Sequence, residues 1–177
     1  PLRPSARMRI SGAGPHIGEG FAGEGADAAH VNIVIGHVTS SVGGAWTTAL
    51  ATPREGHVPF VAVAQPGVPV QPFTLFVNKA AIAGEQHGTL TWGAAQAGLA
   101  AGVGAATVEG IMPREVTEYV MIAAMWVNPM ASDEEAVFEN NRTATIDAIR
   151  MASRGGPAAD DALRAMLDPA NPYFRRG

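Results

Sequence analysis

The sequence of 177 residues contains no cysteine, and this absence removes several kinds of chemistry. Without cysteine the chain has no disulfide bond, no thiolate nucleophile and no cysteine ligand for a metal, although the redox compartment stays undecided. The chain also has no excess of positive charge. It contains 12 Lys and Arg residues against 16 Asp and Glu residues, so the formal net charge is −4. With no basic patch to neutralise phosphates, we expect no nucleic-acid partner.

A long apolar segment of the kind that crosses a membrane is missing as well. Residues 86–108 contain no Asp, Glu, Lys or Arg, but polar residues interrupt this segment repeatedly. Its helical part is shorter than the roughly 20 apolar residues that a bilayer requires, so we expect no membrane partner. The Arg-rich residues 1–10 lack the apolar region of a secretory signal, and we interpret them as a leader.

The composition that remains is typical of a globular chain. Hydrophobic residues make up 47% of the sequence and charged residues 16%, which favours a packed core over disorder. The length suits one domain, and the sequence has neither an internal repeat nor an interdomain linker. We therefore predict that residues 1–177 form a single domain, with an extended tail at residues 168–177.

Hydrophobic periodicity predicts strands and helices in irregular alternation. The predicted strands are 31–35, 58–64, 73–79 and 119–127, and the predicted helices are 42–51, 92–109, 132–154 and 160–167. The second and third strands are expected to form an antiparallel hairpin around a proline-rich turn that lies outside any strand. This arrangement indicates an α/β fold, a two-layer sandwich with a mixed sheet.

Three of the predicted helices carry more specific signals. In the first, Trp46 and Leu50 are four residues apart and are expected on the buried face. In the second, Gly98 and Gly102 lie in a segment almost without side-chain bulk, which predicts close packing against the sheet or against another subunit. In the third, Ser132 stands three residues before a glutamate, the spacing of a capping box that begins a helix.

The candidate functional residue is His30, which lies where a glycine-rich loop meets a buried strand. Residues 31–35 form a β-branched alternating pattern that is typical of a strand. An imidazole titrates near neutral pH, and the mouth of a loop gives it access to solvent. Without other information, a single histidine at a strand end is more often structural than catalytic. The spacing of the other four histidines predicts no metal site.

Three blocks of this sequence resemble the formaldehyde-activating enzymes. One is a loop of Gly, acid and Gly followed four residues later by Ala-His and a strand, here Gly23, Glu24, Gly25, Ala29 and His30. The others are AQPGVPVQPFTLFVNK at residues 64–79 and WGAAQ at residues 92–96. The similarity runs without a gap from about residue 18 to residue 122. The chain therefore resembles this family and is expected to be a divergent member of it.

The resemblance implies a fold similar to the second domain of ribosomal protein S5 and a cytoplasmic homopentamer that binds pterin in a cleft between subunits. It implies the condensation of formaldehyde with tetrahydromethanopterin as co-substrate, giving the methylene derivative and water in one-carbon metabolism, without a metal. Loss of hydroxide from the intermediate requires a proton, and a histidine can supply it at neutral pH. By resemblance, His30 has this catalytic role.

The family's pterin contacts correspond to five further positions. Lys79 and Gln96 keep the expected residue types, and Val61 stands where leucine is usual. Asn32 replaces an expected carboxylate, and Ala81 replaces an expected hydroxyl. Without the resemblance, the lysine would be an ordinary strand-end charge and the glutamine a helix cap. Because the two replacements weaken the pterin contacts, the alternative to an enzyme is a paralogue that binds a pterin or another one-carbon ligand without efficient catalysis.

Overall fold

The computed structural model describes residues 8–171, which form seven strands and five helices. The strands are β1 (His16–Ala22), β2 (Ala29–His37), β3 (Phe60–Val61), β4 (Val63–Gln65), β5 (Val68–Pro69), β6 (Phe73–Asn78) and β7 (Tyr119–Trp126). The helices are α1 (Ser41–Ala51), α2 (Glu85–Thr89), α3 (Gln96–Val108), α4 (Glu134–Arg154) and α5 (Ala159–Leu167). A π-helical segment, Leu90–Ala95, joins α2 to α3.

Five of the strands form a mixed sheet in the spatial order β1, β2, β7, β6, β3. Neighbouring strands are antiparallel except β6 and β7, which are parallel. The apolar run at 119–127 therefore forms the central strand, and its core-facing residues Met121, Ala123 and Met125 are fully buried. Strands β4 and β5 form a separate two-stranded ribbon. The predicted α/β sandwich with a mixed sheet is confirmed.

Helix α4 lies unusually close to the sheet, because two residues of β1 have no side chain. A Cβ atom added at Gly18 would lie 1.8 Å from the carbonyl oxygen of Ala148, and one at Gly20 would lie 2.0 Å from that of Ala144. Both distances are far below any van der Waals contact. The core fills the space around this contact with the inward-facing side chains of β2 and β7, among them Val31, Ile33, Ile35, Met121 and Met125.

Helices α3 and α4 pack against each other through a second pair of glycines. A Cβ atom at Gly98 would lie 2.4 Å from the carbonyl oxygen of Phe138, and one at Gly102 would lie 2.7 Å from Cβ of Thr145. The close packing predicted for these glycines is confirmed. Its partner, however, is α4 of the same chain and not the sheet or another subunit.

The structure also corrects the predicted starts of two helices. The helical segment expected from residue 92 begins at Glu85, after Gly84, whose φ of 90° suits glycine. Helix α4 begins after Asp133, whose carboxylate accepts a hydrogen bond from the Ala136 N–H at 3.0 Å. The capping box predicted at Ser132 is therefore wrong, because the backbone N–H of Ser132 donates instead to the Asp27 carboxylate at 2.8 Å.

Three smaller predictions are corrected in the first half of the chain. Leu50 is 40% exposed, and α1 buries Val42 in its place. The strand expected at 58–64 is divided into β3 and β4, although its antiparallel pairing with β6 is confirmed. Pro69, expected in a loop, pairs with Val63 in the ribbon. A proline is tolerated there because the ribbon has only two strands, so one side of each remains an edge.

The ends of the chain are described only in part. Residues 1–7 of the expected leader and residues 172–177 of the expected tail lie outside the described residues. Ile10, the last residue of the expected leader, is 1% exposed and its N–H donates to the Ile111 carbonyl at 2.9 Å. Within residues 8–171, no helix combines the length and the apolar character needed to cross a bilayer.

The glycine contact between α3 and α4 can be tested with a matched pair of substitutions. Gly98→Ala should lower the free energy of unfolding by about 1–3 kcal/mol, because the new methyl group meets backbone atoms that cannot move aside. Gly104→Ala, in the same helix but with no neighbour within 4 Å, should raise it by about 0.5–1 kcal/mol. Urea unfolding of both variants measures the difference. Equal effects would contradict the proposed close packing.

Candidate active site

The helices cover one face of the sheet and leave much of the other exposed. Side chains alternate along a strand, so His30, Asn32 and Val34 of β2 point away from α4, while residues 31, 33 and 35 point into the core. On this open face Ile17 of β1 is 66% exposed. Helix α1 packs across one end of the face, where Val42 contacts Gly36. His30 lies towards the opposite end of β2.

Four polar side chains meet at this end of the open face, and we call them the His30 cluster: Glu19, His30, Asn32 and Lys79. The strand register places Glu19 of β1 directly opposite Asn32 of β2. His30 Nε2 lies 3.0 Å from Glu19 Oε1. Lys79 Nζ lies 3.4 Å from His30 Nδ1 and donates a hydrogen bond to Asn32 Oδ1 at 2.6 Å.

Lys79 follows β6 and is fixed from both sides. Its N–H donates to the Met125 carbonyl at 2.8 Å, which continues the pairing of β6 with β7. The preceding residue, Asn78, is 2% exposed, and its amide nitrogen donates to the carbonyls of Gly56 and Ala80 at 2.7 and 2.8 Å. These bonds hold the backbone on either side of Lys79, so its side chain is directed across β7 towards His30.

The partners of His30 determine which of its nitrogens carries the proton. A carboxylate can only accept a hydrogen bond, so Nε2 must be protonated to bind Glu19. In the neutral imidazole Nδ1 is then an acceptor, and it faces the amino group of Lys79. A second proton taken up by His30 therefore sits on Nδ1, on the side of Lys79.

Charge and burial act on the cluster in opposite directions. Burial, and then the positive charge of Lys79, lower the pKa of His30 below its ordinary value, while the charge and the hydrogen bond of Glu19 partly restore it. Burial likewise lowers the pKa of Lys79, and the attraction of Glu19 opposes this shift. Both basic groups therefore release their protons more readily than they would in water.

The other residues expected to contact a pterin lie outside the cluster. Val61 of β3 is on the open face but pairs with Leu75, four residues before Lys79, which is roughly 13 Å along the strand. Ala81 is exposed, two residues beyond Lys79. Gln96 lies in the helical layer, where its Oε1 accepts from the Val63 N–H at 2.9 Å and its Nε2 donates to the Trp92 carbonyl at 2.8 Å.

Glu19 is the member of the cluster that the sequence analysis does not find. Strand β1 has no counterpart among the predicted strands, because Gly18 and Gly20 lower its β propensity. One sequence pattern could have predicted this strand. Ile17, Glu19 and Phe21 alternate with the two glycines, as in a strand that carries side chains on one face and contacts a helix with the other.

Residues 8–171 contain no group of three or more His, Asp or Glu side chains placed to hold a metal ion.

The opposing effects on His30 predict pKa shifts of opposite sign. Glu19→Gln removes the negative charge that raises the pKa of His30, so the pKa should fall further. Lys79→Met removes a repulsive positive charge, so the pKa should rise. A titration of the His30 ring protons by NMR measures both shifts, with the other four histidines as internal references. A rise for Glu19→Gln or a fall for Lys79→Met would contradict this account.

Comparison with known proteins agrees with these features over most of the chain. Residues 17–174 match the family model of the formaldehyde-activating enzyme (Fae). A 5,6,7,8-tetrahydromethanopterin hydro-lyase of Methanosarcina barkeri is 37% identical over 159 residues, which cover 89% of each chain. A bifunctional enzyme Fae/Hps of Archaeoglobus fulgidus is 37% identical over 161 residues, which are 90% of this chain but 41% of that protein. The resemblance found in the sequence is thereby confirmed, and the chain belongs to the formaldehyde-activating enzyme family.

Proposed function

We propose that this protein is a lyase that condenses formaldehyde with tetrahydromethanopterin to give the methylene derivative and water. Family membership supports the proposal, as does the relative named 5,6,7,8-tetrahydromethanopterin hydro-lyase. The observation that carries it is the environment of His30, which bridges Glu19 and Lys79 on an open sheet face. A histidine in this setting can both give and accept a proton where a ligand can reach it.

The reaction needs one proton to move in each direction. A pterin nitrogen attacks the aldehyde carbon and forms a carbinolamine, and its hydroxyl group must leave as water before a second nitrogen closes the ring. His30 donates the proton that the leaving hydroxyl requires, and recovers it from the attacking amine. Glu19 holds the imidazole by Nε2, so Nδ1 is the nitrogen that exchanges the proton.

Within the cluster, Lys79 and Asn32 are placed to contact the pterin beside His30. Lys79 already donates a hydrogen bond to the amide oxygen of Asn32. Asn32 therefore offers the pterin a donor from its amide nitrogen, where a carboxylate would offer an acceptor. Ala81 adds only a methyl group to the exposed segment that follows Lys79. We propose that binding at this end of the site depends mainly on Lys79.

Val61 lies roughly 13 Å along the strand from Lys79, and Gln96 lies in the helical layer, so neither is a member of the cluster within one chain. We propose that they contact the ligand from a neighbouring copy in a cytoplasmic homopentamer. The open face supports association, because it presents apolar side chains to solvent, including Ile17 at 66% and Phe73 at 40% exposure. A cleft between copies would then combine His30 and Lys79 of one chain with Val61 and Gln96 of the next.

The assembly can be tested by light scattering at micromolar concentration, which should give a mass corresponding to five chains. Replacing an exposed apolar residue of the open face by a charge, as in Ile17→Glu, should shift the mass towards the single chain, because the charge would have to be buried on association. A single-chain mass for the unmodified protein would contradict both the pentamer and the shared site.

The catalytic role of His30 can be tested with two histidine substitutions in the same strand. His30→Ala should reduce the rate enhancement at least about 100-fold, because no other group replaces the proton donor. His37→Ala, at the far end of β2 beside Glu118, should leave it nearly unchanged. The assay follows formation of methylene-tetrahydromethanopterin and subtracts the spontaneous condensation. If His30→Ala keeps the full enhancement, the proposed acid is wrong.

A further inference from the structure

One member of the His30 cluster is the only residue of its type in the sequence. Lys79 is the only lysine among the 177 residues, and every other residue counted with it as basic is an arginine. The chain also has no cysteine. Primary amines and thiols are the side chains that add most readily to an aldehyde, whereas a guanidinium stays protonated and is a poor nucleophile. The one strong side-chain nucleophile of this kind therefore lies at the proposed formaldehyde site.

The surroundings of Lys79 Nζ suit an amine that reacts as well as binds. Its hydrogen-bond acceptor, Asn32 Oδ1 at 2.6 Å, is a neutral amide oxygen that can bind an ammonium or an uncharged amine. The carboxylate of the cluster, on Glu19, is hydrogen-bonded to His30 and not to Lys79. The burial that lowers the pKa of Lys79 increases the share of uncharged amine at any given pH.

We propose that Lys79 captures formaldehyde covalently and holds it as an iminium until an amine of the pterin accepts it. This inference rests on the proposed function for the identity of the substrate, and it moves the carbinolamine and its dehydration from the pterin nitrogen to Nζ of Lys79. Lys79 is then a catalytic residue and not only a contact for the pterin.

Each step balances without an oxidant or a reductant. The lone pair of Nζ attacks the aldehyde carbon, a C–N bond forms, and the carbonyl oxygen takes up the proton that nitrogen loses. The product is a carbinolamine, and it loses its hydroxyl group as water when His30 protonates the oxygen and the nitrogen lone pair forms the C=N bond. A pterin amine then attacks the iminium carbon, and the proton that the pterin nitrogen loses passes to Nζ. The bond from carbon to Nζ breaks, Lys79 leaves as the uncharged amine, and the carbon remains as an iminium on the pterin nitrogen. The second pterin nitrogen attacks this carbon and closes the ring, and its proton returns to His30.

The orientation of His30 fits this sequence of steps. Its exchangeable proton is on Nδ1, 3.4 Å from Nζ, because Nε2 is bound to Glu19. A hydroxyl group joined to Nζ through a single carbon would therefore lie within reach of Nδ1. The same imidazole can pass the proton of Nζ to the carbonyl oxygen during capture, and in its protonated form it can protonate the leaving hydroxyl during dehydration.

Reductive trapping tests the capture directly. The 177-residue protein is incubated with ¹³C-formaldehyde and cyanoborohydride, which converts a lysine iminium into N-methyl-lysine, and peptide mapping locates the label. Arg164→Lys provides an internal control, since it adds a second amine at an exposed site beside Asp161 in α5, an element that carries no member of the cluster. We expect labelling at position 79 to be at least about tenfold faster than at position 164. Equal or slower labelling at position 79 would overturn the proposal.

Two further variants test the contribution of the neighbours. His30→Ala should slow labelling of Lys79 at least about tenfold, because dehydration of the carbinolamine loses its acid. Asn32→Asp should slow it as well, because a carboxylate at 2.6 Å would keep the amine protonated. Unchanged labelling in both variants would show that Lys79 reacts as any exposed amine does and would overturn the proposal.

Kinetics of Lys79→Arg separate capture from simple binding. Arginine keeps the positive charge but cannot form this iminium, so covalent capture predicts a fall in kcat of at least about 100-fold. A residue that only binds the pterin would change mainly KM, and that result would overturn the capture. If Lys79 is labelled rapidly but the protein does not accelerate condensation with tetrahydromethanopterin, the capture is supported and the proposed function fails. If condensation is accelerated but Lys79 is not labelled, the function is supported and the capture fails.

Discussion

The close approach of α4 to its neighbours is the constraint on which the rest of the structure depends. Glycines in β1 and α3 remove the side chains that would separate these elements, so backbone atoms of α4 contact both the sheet and α3. Such contacts tolerate almost no added volume, because protein interiors are packed as densely as crystals. The long helices are thereby held together on one face of the sheet. The other face, with α1 across one end, is left largely open to solvent.

The position of the His30 cluster follows from this asymmetry. Three neighbouring strands and the end of β6 bring its members together, although Glu19 and Lys79 are 60 positions apart in the sequence. In the cluster, one carboxylate and one amine flank the imidazole on its two nitrogens. The carboxylate fixes the ring and supports its positive form, while the amine and burial disfavour that form. The pKa of His30 is therefore lowered, and the proton that it takes up or releases is the one on Nδ1, which faces Lys79.

The distribution of reactive side chains is consistent with a site for an aldehyde. A chain without cysteine and with a single lysine has few groups that formaldehyde could modify away from the site. Its other basic residues are arginines, which supply the same charge through a group that stays protonated. Asn32 Oδ1 accepts a hydrogen bond from Lys79, and an amide oxygen, unlike a carboxylate, does not fix the lysine in its charged form.

The sequence by itself determined the class of the fold, the strand at 119–127, the end of α4 at Arg154 and the family, because these depend on local periodicity, turn residues and motifs. It also identified His30, Asn32 and Lys79, through their places in those motifs. Only the tertiary structure revealed β1 and with it Glu19, because the glycines that weaken the strand pattern are explained by a helix more than 100 residues away. Likewise, only the three-dimensional arrangement separated Val61 and Gln96 from the cluster. Contacts between residues that are distant in the sequence form the His30 cluster, and no local sequence pattern encodes those contacts.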